Sequence, residues 1–167
     1  MPPGNQFRRI LPIAQTALAL TFGGWGVRQR DEILSRSWLG WNSTARFHVW
    51  PWPLKFAAVS NMPAFLGGAF VSWPMSAVWP RSPEWAQLAP SLLFVMILWY
   101  WIGARLDRRW GVADKAPWLA LLIFTLVCLV GAFIRIGYTG YLPYGVLVWL
   151  MTTAAIRLSS RTASSVS

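Results

Sequence analysis

Apolar residues in this chain come in long unbroken runs, separated by short polar and charged segments. Five runs stand out, at about Ile10 to Val27, Leu54 to Trp79, Trp85 to Ala104, Pro117 to Ile136 and Leu142 to Ile156. Within each run there is no two-residue alternation, so exposed strands are disfavoured. Most runs have the roughly 20 residues that a helix needs to cross a hydrocarbon core, and the fifth is the shortest. Backbone groups in lipid must be paired within the segment, and continuous apolar runs meet that requirement as helices. The predicted fold is all-α: a polytopic integral membrane helix bundle of about five transmembrane helices. Residues 1–167 form one domain, with an aromatic-rich interfacial loop at 28–53 and a frayed polar tail at 159–167.

Local signals place the boundaries. Ser82-Pro83-Glu84 reads as a helix start: a capping hydroxyl, a proline in the first turn and an acid at the positive end of the dipole. The same helix is expected to run past the apolar block through Arg105, Asp107, Arg108 and Arg109 and to stop at Gly111. Asp114 and Pro117 restart the chain, and Gly137 and Gly140 make a hairpin into the fifth run. Trp50-Pro51-Trp52-Pro53 is expected to be extended, because each proline disfavours helix at the residue before it. Arg8 and Arg9 before the first run also suit a signal peptide, with Ala17-Leu18-Ala19 as a weak cleavage site. A cut there leaves too few apolar residues before it, and a retained helix is the expectation.

Composition agrees. The chain is 56% hydrophobic and 12% charged, with 13 Trp and a mean hydropathy of +0.44, which excludes an ordinary soluble domain, a disordered chain and a disulfide scaffold. Fifteen Lys and Arg face five Asp and Glu. The cations flank the apolar runs and no groove-reading motif accompanies them, so the expected partners are the lipid bilayer and its anionic headgroups, with no nucleic acid. Counted over five spans, eleven cations fall on the side of the first loop, third loop and C-terminus, and four on the other. The positive-inside rule then puts the N-terminus outside and the C-terminus in the cytoplasm, in a bacterial cytoplasmic (inner) membrane.

Chemistry is sparse. Cys128 and His48 are single, so no metal or haem spacing exists and no cofactor is expected. The carboxylates Asp31, Glu32, Glu84, Asp107 and Asp114 all lie outside the apolar runs. No nucleophile elbow or phosphate-cradling glycine loop occurs, and no catalytic residue is assigned. The most specific pattern is in the second run, where Ser60, Ala64, Gly68, Ser72 and Ser76 recur every four residues. Such a ridge of small side chains suits close helix packing or a partner interface. Pro63 should bend this helix, with Asn61 able to take up a freed backbone group. Arg46 and His48, among the tryptophans of the first loop, and Arg135, near the end of the fourth run, are candidate anion or lipid contacts. Asp107 has neighbouring arginines with which it could pair.

These features predict a non-enzymatic small integral membrane protein, an accessory or scaffold subunit or a homo-oligomer. The alternatives are an oligomeric channel or carrier, with Ser60, Asn61, Ser72 and Ser76 along a weakly polar path, or a membrane enzyme on lipid-linked substrates that gathers Arg46, His48 and Asp107.

Overall fold

The structure, a computed structural model, describes residues 6–36, 49–79, 84–109, 115–133 and 143–154. Among these residues there are six helices and no strand. They are α1 (Phe7–Arg36), α2 (Trp52–Ser60), α3 (Met62–Val78), α4 (Glu84–Arg109), α5 (Lys115–Phe133) and α6 (residues 143–154). Three are long and apolar enough to cross a membrane: α1, the Ala89–Arg108 part of α4, and α5. The pair α2–α3 adds a fourth candidate if it is taken as one bent span. Among the described residues there are thus three or four candidate spans, and the expected count of about five is not confirmed. The described part of α6 is about 18 Å long at 1.5 Å per residue, short of a crossing.

The first correction concerns α1. It continues nine residues beyond the expected boundary at Val27, so the segment 28–36 is helix and not loop. The apolar run ends where solvation changes, but nothing there stops a helix: Arg28 to Arg36 holds no Gly or Pro, and Arg36 bonds Glu32 at 2.6 Å one turn away. The second concerns the tryptophan–proline segment. Pro51 is extended (φ −62°, ψ 154°), but Trp52 is already the first residue of α2 and Pro53 sits in its first turn, where a missing N–H is tolerated. The third run is described as helix from Glu84 and the fourth from Lys115; Ser82, Pro83, Gly111 and Asp114, on which the expected boundaries rested, lie outside the described residues.

One end of the bundle is tied by a carboxylate. The first N–H groups of a helix have no partner inside it. The N–H groups of Phe7 and Arg8 donate to Oδ1 and Oδ2 of Asp107, each at 3.0 Å. Gly103, one turn earlier on α4, lets α1 come close: a Cβ there would lie 2.6 Å from the Phe7 carbonyl oxygen. Phe7 is fully buried, and its ring lies 5.1 Å from that of Trp118 on α5. The start of α1, the end of α4 and the start of α5 thus share one end of the bundle, called here the near end. Arg8 and Arg9 consequently stand at the same end of the bundle as Arg105, Arg108, Arg109 and Lys115, whereas the five-span count had set the two groups apart.

The second run folds differently from a single bent helix. α2 and α3 meet at Asn61 with a 90° bend. Trp52 packs on Trp25 (5.1 Å between ring centroids) and Phe56 on Phe22 (5.0 Å), about 27 and 22 Å along α1 from the near end. Asn61 then reaches Trp99, about 12 Å above Asp107 on α4. From there α3 climbs back beside α4, with Gly67 against Phe94 and Gly68 against Ser91, the latter about 24 Å above Asp107. The pair descends from the far end to about 12 Å from the near end, turns, and returns. α6 runs down the same interior, with Tyr144 bonded to Val127 of α5 and Trp149 in ring contact with Trp99 and Phe124.

Candidate functional site

The turning point of α2–α3 gathers the buried polar atoms. Pro63 has no N–H to give to the carbonyl of Val59, which is freed by the break. That carbonyl accepts a bond from Trp149 Nε1 at 3.0 Å and the backbone N–H of Asn61. Asn61 is fully buried. Its Oδ1 accepts from Trp99 Nε1 at 2.8 Å, and its Nδ2 donates to the Ala57 carbonyl at 3.2 Å and to Ser60 Oγ at 3.1 Å. Ser60 Oγ donates back to the Phe56 carbonyl at 2.8 Å. Buried amides and indoles without such partners would be costly, so the network fixes the position of the bend. Asn, Ser and Trp offer no proton near neutral pH. The arrangement is a fully bonded clamp, with three elements, α4, α6 and the α2–α3 turn, each contributing an atom.

The small-residue ridge is divided by this turn. Ser60 closes α2, while Ala64, Gly68, Ser72 and Ser76 belong to α3. Ala64 is buried, and Gly68 faces Ser91 so closely that a Cβ would sit 2.5 Å from the Ser91 Cα. Ser72 Oγ bonds the Ala69 carbonyl of its own helix at 3.3 Å. The side chain of Ser76 lies outside what is described, as do Arg46, His48 and Arg135. Ser60 and Asn61 are in the clamp, so they do not continue a polar path along α3 with Ser72.

Three functional assignments escaped sequence reasoning. Asp107 accepts the first N–H groups of α1, a partner about 100 residues away in sequence. Trp99 and Trp149 act through their indole N–H groups, although as sequence they look like two more belt aromatics. The usable signal was Asn61 itself, an amide two residues before a proline inside an apolar run, which requires donors and acceptors at depth.

Outside the clamp, α3 and α4 leave an apolar groove of about 270 Å³ between Pro63, Ala64, Phe94, Ile97, Leu98 and Trp101. At its near end the Arg105 guanidinium lies over the Trp101 ring, 3.8 Å from the centroid. Among the described residues no group of three or more His, Cys, Asp or Glu could hold a metal ion. Comparisons with protein-family models, curated proteins and solved structures found no match.

Proposed function

We propose that this chain is a non-enzymatic integral membrane protein that serves as an accessory or scaffold subunit, working through its outer faces. The observation that carries this reading is the use of its polar groups. Asn61, Ser60, Trp99, Trp149 and Asp107 are all committed to bonds that hold helices together. Large apolar side chains such as Phe70, Trp73, Leu122 and Leu126 are left exposed, as lipid- or partner-facing surfaces require.

The proposed orientation, in a cytoplasmic (inner) membrane, puts the near end in the cytoplasm. It brings Arg8, Arg9, Arg105, Arg108, Arg109 and Lys115 together, six cations against the two carboxylates of the same stretches of sequence, Asp107 and Asp114, and basic residues beside the first span weigh heavily in the positive-inside rule. This moves the N-terminus to the cytoplasmic side, opposite to the expectation from the sequence, and keeps Arg105, Arg108, Arg109 and Lys115 on the cytoplasmic side where the sequence count had put them.

Native mass spectrometry of the chain purified from membranes tests the role. A fixed stoichiometry with further copies or with other membrane subunits is expected. A bare monomer at every detergent concentration overturns it. A conduit is the second reading, favoured by the helix pair that enters and leaves by one end. Ion or solute flux through liposomes containing only this chain would support it over the scaffold.

A further inference from the structure

The groove between α3 and α4 begins where α3 leaves the clamp. Pro63 and Ala64 are slender, and the wall opposite is built from Phe94, Ile97, Leu98 and Trp101. It is open outward, with Ile97 and Trp101 both about half exposed. From Trp101 to Phe94 it extends about 10 Å along α4. Its lining carries no charge. A second helix is about 10–12 Å across with its side chains and does not seat in 270 Å³, whereas a single alkyl chain does.

The mouth is chemically different from the groove. Arg105 stands one turn toward the near end, and its guanidinium lies over the ring of Trp101, the last residue of the lining. The cation–π contact holds the guanidinium at the mouth of the groove, and its N–H groups suit oxygen acceptors. The only carboxylate in that stretch of α4, Asp107, has both oxygens on the N–H groups of Phe7 and Arg8. Arg105 and Arg108, with Arg8 and Arg9 beside them, thus keep an excess of positive charge at the foot of an acyl-sized groove.

We propose that this groove and Arg105 bind an anionic phospholipid, with part of one acyl chain between α3 and α4 and the phosphate on the Arg105 guanidinium. Charge-assisted bonds from a planar donor pair suit a phosphate, and the surrounding cations select a net negative headgroup over a zwitterionic one. The inference rests on the reading of the chain as membrane-embedded and is independent of its role as a scaffold.

The test uses the full chain in detergent, titrated with dioleoyl phosphatidylglycerol or dioleoyl phosphatidylcholine and read by native mass spectrometry. The wild type should retain one phosphatidylglycerol at roughly fivefold lower concentration than phosphatidylcholine, the effect of about one basic contact. Arg105→Gln should abolish that preference, and Arg105→Lys should keep part of it, because charge survives while the planar fork does not. Ile97→Trp, at an exposed position, fills the groove and should weaken both lipids alike. Equal retention of the two lipids by the wild type, or an unchanged preference in Arg105→Gln, overturns the site. Flotation with phosphatidylcholine vesicles separates the two failures. A chain that does not float refutes the membrane reading, and one that floats without a headgroup preference refutes only the site.

Discussion

Replacing Asn61 by Leu is the sharpest test of the clamp. The two side chains are similar in size, so little cavity forms, but the bonds of the amide disappear. Ser60 Oγ keeps its one proton on the Phe56 carbonyl at 2.8 Å and shares it only weakly with the Ala57 carbonyl at 3.3 Å. The group left stranded is the indole N–H of Trp99, whose residue is 1% exposed. An unpaired buried donor costs about 1–3 kcal/mol, and about 2 kcal/mol is the expected loss. For a chain of this size that is a fall of about 4–8 °C in Tm. The companion variant is Trp99→Phe, which strands Asn61 Oδ1 instead. Because each change removes the same bond, the double variant should be less damaged than the sum, with a coupling of about 1 kcal/mol or more. Thermal unfolding in a mild detergent, followed by near-ultraviolet circular dichroism, reads all three. A Tm for Asn61→Leu within about 1 °C of wild type, or strict additivity with Trp99→Phe, would refute the assignment of Asn61 as the pin of the bend.

The other predictions concern packing, capping and topology. Gly68→Leu should lower detergent stability by about 1–3 kcal/mol or more, because its side chain is driven into Ser91, while Leu66→Ala, at a partly exposed position, should cost less; equal Tm values would mean that α3 and α4 are not in close contact at Gly68. Asp107→Ala should destabilise the chain by about 1–3 kcal/mol through the loss of two bonds to the start of α1, and Asp107→Asn should recover part of this in the same melting assay. With Cys128 changed to Ala, a cysteine at Gly4 and one at Val112 should react with an impermeant maleimide from the same side of the membrane, and one at Ser82 from the other; reaction of the Gly4 and Val112 positions from opposite sides would restore five separate crossings.

The sequence carried the helices well where apolar length and helix length coincide. α4 is the clearest case, since its extension past the apolar block to Arg109 followed from the charged residues after Ala104, whereas the cap expected at Ser82 lies outside the described residues. It failed at α1, because hydropathy marks a change of solvent and does not end a helix whose next residues are good helix formers. It also failed at Asn61. A proline announces a bend, and the four-residue ridge suggested that the bend was slight enough to keep one face in line. The size of the bend depends on partners far along the chain, Trp99 and Trp149, which no local pattern connects to residue 61. The same distance in sequence hid the bond between Asp107 and Phe7. Of the candidate residues, Ala64 and Gly68 were placed in close packing by their size, whereas Arg46, His48 and Arg135 lie outside the described residues.

The two tertiary ties constrain each other. Asp107 fixes the start of α1 and the end of α4 at the near end, so these helices run in opposite directions and both have their other ends at the far end. The chain between them, residues 37–83, must leave the far end and come back to it. A straight helix over residues 52–78 would be about 40 Å long and would carry the chain across to the near end. α4 would then have to start at the near end, and Asp107 would lie about 35 Å from Phe7. The return therefore requires a turn among the apolar side chains of the bundle, and a turn there leaves backbone groups that need partners within the protein. Asn61 and Trp149 supply those partners from within the protein, and Trp99 satisfies the amide that remains. The clamp about 12 Å above Asp107 is thus the condition under which the Asp107 tie can form, and weakening either should loosen the other.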